Sequence, residues 1–190
     1  MKLGIVIGSV REGRVSTNMA AWVAAEAKKR DGVEVELIDL KDYQLPFFAE
    51  AISPQYNPDR KPEGEVKRWL DKLAEQDAYI FVTPEYNRSI PGALKNAIDF
   101  VAYEMAKKPV AIATHGSTEG AQAVAAMRMI IPAVLAVTTP TFVGISYMGA
   151  QSITDQGEFG GDEAEMRTGL LQKVLEELAW YDDTLRPSHQ

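Results

Sequence analysis

The chain has 190 residues, 46 % of them apolar and 25 % charged, which suits one folded domain with a sizeable core. Its formal net charge of −7 argues against nucleic acid or an anionic membrane as the main partner. There is no cysteine, which excludes disulfides, a thiolate nucleophile and zinc–cysteine sites. The opening "MKLGIVIGSV" is too short an apolar run for a signal peptide. The longest apolar stretch, "MIIPAVLAV" at 129–137, contains a proline and falls far short of a membrane span. The expectation is a cytoplasmic protein without membrane insertion, forming one domain over 1–190.

In chain order, β-rich apolar runs predict strands at Leu3–Ile7, Val33–Ile38, Ala78–Thr83, Val110–Thr114 and Thr141–Ile145. Helical spacing fills the intervals. Met19, Trp22, Val23 and Glu26 to Arg30 mark a first helix, with Ser16 or Thr17 as its expected cap. Glu63–Ala74 form a second, with Val66, Trp69, Leu70 and Leu73 on one face. Ala93–Met105, Ala121–Leu135 and Glu163–Tyr181 give three more. Met105, Met127 and Met129 read as core filler, as do Trp22 and Trp69. Trp180 is expected to pack on the sheet or on another subunit. Lys95 and Asp99 form an i,i+4 surface pair. Two stretches are irregular: Tyr43 to Pro62, with four prolines, and Ser146 to Asp162, with four glycines. A long excursion of this kind is usually a binding loop or a surface segment.

Alternating strands and helices predict a parallel sheet covered on both faces. Five strands with a ligand-type turn after the first fit an α/β flavodoxin-like three-layer sandwich, strand order 2-1-3-4-5. Ligands in such sheets sit at the carboxyl ends of the strands. The loops that matter therefore follow strands one, three and four.

The first of these, "GSVREGRVSTN" at 8–18, leads from strand to helix. Gly8 and Gly13 imitate a Walker A spacing, yet Arg14 and Val15 replace the required lysine and hydroxyl. Val10 stands where a dinucleotide fingerprint needs its second glycine. Asp39 ends the second strand, where a ribose-binding acid would stand; capping the turn that follows is its simpler role. A phosphate monoester fits the turn better. Ser9, Ser16 and Thr17 offer hydroxyls, the helix start offers amides, and Arg11 and Arg14 offer charge. A solvated turn with an ordinary cap is the competing reading.

After the third strand comes "TPEYNRSIPGALKNAIDF", 83–100. Pro84 and Pro91 stiffen a loop that presents Tyr86 as an aromatic surface and Asn87 as an amide. A rigid loop of this kind can offer backbone groups to a flat heteroaromatic ring at little entropic cost.

"GSVREGR", "PEYNRSIPGALKNAIDF" and "ATHGSTEGAQA", in this order, resemble the NADPH-dependent FMN reductase family, which includes quinone, chromate and azo reductases. The resemblance covers the chain to about residue 145. It implies FMN as cofactor and NADPH or NADH as co-substrate. A hydride would pass through flavin N5 to a quinone or similar small acceptor, with ping-pong kinetics. It implies that Ser9, Arg11, Arg14, Val15 and Ser16 lie in the stretch that binds the FMN phosphate. Pro84, Glu85, Tyr86 and Asn87 match the loop beside the flavin ring, and His115, Gly116 and Ser117 the loop at its pyrimidine end. A homodimer or homotetramer is also implied, with the 43–62 excursion a candidate cover for a neighbour's site. Arg88 stands where many members have glycine, and His115 and Thr118 depart from the usual small residues.

No side chain is required as nucleophile, base or metal ligand. Ser117 lies outside any G-x-S-x-G elbow, and His189 falls in the terminal "RPSHQ". Loop amides, or less readily His115, would stabilise negative charge on a reduced flavin. His115 reads equally well as a hydrogen-bonded residue at a strand end. Two non-enzymatic alternatives stay open: a flavodoxin-type electron carrier, which usually brackets its ring with two aromatics, and a flavin-binding redox sensor.

Overall fold

The computed structural model describes residues 1–186; His189 lies outside them. The strands are β1 (Lys2–Ile7), β2 (Glu34–Asp39), β3 (Ala78–Pro84), β4 (Pro109–Gly116), β5 (Val137–Thr138) and β6 (Val143–Ser146). The helices are α1 (Ser16–Ala27), α2 (Gly64–Ala74), α3 (Gly92–Asp99), α4 (Ala121–Ala133), α5 (Tyr147–Gln151) and α6 (Ala164–Leu185). The sheet runs β2-β1-β3-β4-β5, all parallel, with β6 also paired to β4. This is the flavodoxin-like order expected from the sequence.

Side chains alternate across the sheet with the period of two that an extended chain imposes. Val6, Tyr79, Phe81 and Ile112 join a core under α2, α3 and α4, built on Trp69, Leu94 and Met127. Leu3, Ile5, Ile80 and Val143 join the opposite core under α1 and α6, built on Trp22, Val174 and Leu178. Both tryptophans are fully buried, as their helical spacing predicts.

Four local expectations are corrected. The fifth strand is split: Val137–Thr138 pair with Pro109–Val110, and Val143–Ser146 with Ala113–Gly116. Pro140 between them has no N–H for the ladder, and the Thr141 amide and hydroxyl turn to Glu177 instead. Helix α3 stops at Asp99, not Met105. The Val101 amide bonds Ile98 at i−3, and the Glu104 carboxylate captures the Ala102 amide at 2.7 Å. Neither Ser16 nor Thr17 caps α1: its N-cap is Val15, without a side-chain bond, and the Thr17 hydroxyl donates to the Arg14 carbonyl. Met129 is 75 % exposed, on the face of α4 opposite the buried Met127 and Ile131. Trp180 is also exposed and meets Tyr181 edge-on.

The 43–62 excursion is pinned down. Asn96 accepts from the Phe48 amide and donates to the Pro46 carbonyl, both at 2.8 Å. Tyr43 packs edge-on to Trp69 and Phe48 to Phe100. Phe47 and Tyr56 remain exposed. The second irregular stretch contains α5. It is drawn onto α1 by Phe159 against Trp22 and by Asn18 donating to the Ile153 carbonyl.

Candidate functional site

β1 ends at Ile7, and the Gly8 amide bonds the Val82 carbonyl at 2.9 Å, so the first loop leaves the sheet beside β3. Ser9 is fully buried and its hydroxyl shares a 2.9 Å hydrogen bond with the Tyr86 phenol. The Arg14 guanidinium makes a bidentate pair with Asp39 and also donates to the Ser9 carbonyl. Arg14 therefore latches the loop to the end of β2, its charge met by a carboxylate. Asp39 still caps the turn after β2 as expected, accepting from the Lys41 amide. Arg11 is exposed and forms no ion pair among the described residues. The helix that follows has no side-chain cap, and its first intrahelical bond runs from the Met19 amide to the Val15 carbonyl. The amides of its first turn are left as donors at the positive end of the helix dipole.

The loop after β3 closes as a two-residue hairpin. The Tyr86 amide bonds the Ser89 carbonyl at 2.8 Å, and the Ser89 amide bonds the Tyr86 carbonyl at 3.0 Å. Asn87 and Arg88 between them both have positive φ, 48° and 69°, the signature of a type I′ turn. The Glu85 amide bonds the His115 carbonyl, which joins this loop to β4. The Glu85 carboxylate accepts from the Gln122 amide at 2.9 Å and from the Thr118 hydroxyl. Its partners make it a brace for the loop after β4.

That loop turns through Glu119 and Gly120, at φ 55° and 76°. A side chain at Gly120 would place its Cβ 2.4 Å from Cβ of Thr114, so only glycine fits. His115 is buried and its Nε2 lies 2.8 Å from the Ser16 hydroxyl. Burial pushes its pKa down to about 4, so the imidazole is neutral at ordinary pH. His115 thus sits as a neutral, hydrogen-bonded residue at a strand end. Two hydroxyl contacts, Ser9 with Tyr86 and Ser16 with His115, thus tie the first loop to the other two.

The three loops enclose a cleft of about 350 Å³. It is lined by Arg11, Arg14, Val15, Ser16, Pro84, Glu85, Tyr86, His115, Gly116 and Ser117. Of the residues singled out from sequence, Ser9 lies behind this wall and Asn87 on the turn above it. Gly13, Tyr147 and Gln151 also line the cleft and were missed. Tyr147 and Gln151 belong to α5, whose N-cap Ser146 accepts from the Gly149 amide and donates to Glu163. The Ser146 hydroxyl holds the Glu163 carboxyl below its usual range. Arg167 then bridges Glu163 and Glu119, fastening α5 and the third loop to α6. No local pattern announces this wall; only Tyr147, an aromatic after a strand end, hints at it.

A second cavity of about 480 Å³ lies between Val10, Tyr43, Phe47 and the start of α3. It is larger and mainly apolar, and of the three loops it meets only the first, at Val10. Among the described residues there is no cluster of metal-ligating side chains and no helix long and apolar enough to cross a membrane.

Comparison with known proteins agrees with this geometry. FerB, a flavoenzyme NAD(P)H:(acceptor) oxidoreductase from Paracoccus denitrificans, has the same fold, with a TM-score of 0.72 at 23 % identity over 95 % of this chain and 98 % of its own. An NAD(P)H-dependent FMN reductase of Nectria sp is 37 % identical over 126 residues, 64 % of this chain and 63 % of that relative. A quinone reductase of Pseudomonas putida is 35 % identical over 97 residues, 51 % of this chain and 47 % of its own length. The chain thus spans less than two thirds of either curated relative. The family profile for NADPH-dependent FMN reductase matches residues 1–149, which include all three loops of the cleft. The chain belongs to the NADPH-dependent FMN reductase family.

Proposed function

We propose that the cleft binds FMN and that the protein is an NAD(P)H oxidoreductase acting on quinones or similar small acceptors. The observation that carries this reading is the convergence of an uncapped helix terminus and the loops after β3 and β4 on one cleft. The donor set fits the cofactor at both ends. At one end, the first-turn amides of α1 and the unpaired Arg11 suit a phosphate monoester. At the other, Pro84–Tyr86 and Gly116–Ser117 present backbone and an aromatic face to a flat ring.

Bound FMN would supply two-electron redox chemistry, taking a hydride equivalent from NAD(P)H and returning electrons to the acceptor. The chain's own residues bind and position. Arg14 and Asp39 hold the first loop in shape, so little order is lost on binding. Ser9 fixes the Tyr86 phenol and with it the ring of that side chain. Neutral His115 keeps the Ser16 segment against β4. The amides after Gly116 stand at the third wall, where they can meet negative charge on the ring.

Self-association is part of this reading, with exposed Phe47, Tyr56 and Met129 as apolar surface for a second copy. Sedimentation tests it, and a monomer at every concentration would remove it. The presence of a second aromatic, Tyr147, in the cleft that Tyr86 lines favours one rival, an electron carrier that holds its ring between two aromatics. Anaerobic NADPH separates the two. A reductase loses its yellow colour within seconds and regains it with a quinone, whereas a carrier stays oxidised. A protein that remains colourless when mixed with FMN and desalted would defeat both.

A further inference from the structure

The cleft region carries three arginines, and their surroundings differ. Arg14 is consumed by Asp39. Arg11 belongs to the helix terminus. Arg88 sits on the hairpin that starts at Tyr86, exposed, with no hydrogen-bond or ion-pair partner among the described residues. Its backbone is left-handed, at φ 69°, in the second position of a type I′ turn. The first position, Asn87, is filled by a residue that tolerates such angles, and glycine is the relaxed choice for the second. A long cation instead occupies the strained position, in a chain of net charge −7. Lys107, Glu119 and Leu135 adopt similar angles, so the angle alone marks no site; what Arg88 adds beside the cleft is an unpaired guanidinium, suited to planar recognition of a phosphate.

We infer that Arg88 binds a phosphate group of the pyridine dinucleotide that delivers the hydride. The inference rests on the proposed function. The helix terminus and Arg11 are committed to a different phosphate, that of the resident cofactor, so the dinucleotide needs a cation of its own. Arg88 does not line the cleft itself but lies two residues beyond Tyr86, which does, on the same hairpin. That position suits the part of a substrate that stays outside while its nicotinamide enters. A neutral quinone makes no demand on it.

The test compares Arg88→Gly and Arg88→Lys with the wild type, using NADPH and NADH as donors and 1,4-benzoquinone as acceptor. Glycine relieves the turn, so that variant should melt no lower than the wild type, which separates recognition from folding. Its KM for the dinucleotide should rise about tenfold with kcat nearly unchanged, as expected for loss of one charge-assisted contact. Arg88→Lys should keep much of the affinity. Isothermal titration with NADP⁺ and NAD⁺ should show the same loss without turnover. A rise confined to NADPH assigns the contact to the 2′-phosphate, and an equal rise for both donors assigns it to the shared diphosphate. Salt should raise KM in the wild type and much less in the glycine variant. If neither KM nor affinity moves, or if the KM for benzoquinone moves as far, the inference is overturned. A wild type that reduces quinone with both donors while Arg88→Gly does the same overturns this inference alone. A wild type that binds FMN yet oxidises neither donor overturns the functional reading as well.

Discussion

Replacing His115 by glutamine should remove a pH dependence from the stability of this chain. The buried imidazole titrates at about 4, against 6.5 for a free one. Between those values the unfolded chain binds a proton that the folded chain refuses. Stability therefore falls as pH drops from 6.5 toward 4 and loses nothing more to this group below that. Between about pH 7.5 and about pH 5, the two titration curves give a loss of about 2 kcal/mol. Glutamine can keep a hydrogen bond to Ser16 and does not titrate. Urea unfolding of both proteins at the two pH values isolates the effect. Carboxylates that titrate in the same range, and His189, are common to both proteins and cancel in the difference. The wild type should lose about 2 kcal/mol more than the variant, or some 4–8 °C in Tm. Equal losses would mean that His115 takes up its proton freely in the folded state, and the buried neutral imidazole would have to be abandoned.

The arginines of the first loop should separate by role. Arg14→Ala strips Asp39 of its partner where the two side chains are only 10 % and 23 % exposed. A loss of about 2–3 kcal/mol in urea unfolding is expected, discounted from the full value for a buried pair. Arg11→Ala should leave stability within about 0.5 kcal/mol and weaken FMN binding roughly tenfold or more, read by fluorescence quenching. The opposite assignment of the two effects would exchange the roles of the two arginines. Gly157→Ala tests how α5 is held. At φ 83° its Cβ would lie 2.6 Å from the Ala21 carbonyl and 2.7 Å from the Trp22 amide nitrogen. Left-handed strain and overpacking together predict a loss of about 2–4 kcal/mol. An unchanged urea midpoint would show that this segment is not packed on α1.

The sheet and its order were legible because both signals are local: strands with period-two burial, and helices of the right length between them. The strand ends named the three loops of the cleft in advance. What stayed hidden depends on contacts distant in sequence. Arg14 reads as a free cation until Asp39, 25 residues on, is brought beside it. Ser16 reads as a helix cap, but the fold offers it His115, 99 residues away. Tyr147 and Gln151 reach the cleft only because Phe159 and Asn18 draw their segment onto α1. Pro140 is visible in the sequence, yet its effect, two short strands in place of one, depends on how β4 receives each half.

On the proposed function, this cleft holds FMN by the open end of α1 and the unpaired Arg11. Titration of FMN into flavin-free protein, followed by quenching of flavin fluorescence, tests it most directly. Binding should saturate at one FMN per chain, with affinity much reduced in Arg11→Ala; for riboflavin, which lacks the phosphate, that variant and the wild type should differ little. Fluorescence that stays unquenched, or riboflavin bound as tightly as FMN by the wild type, would contradict it.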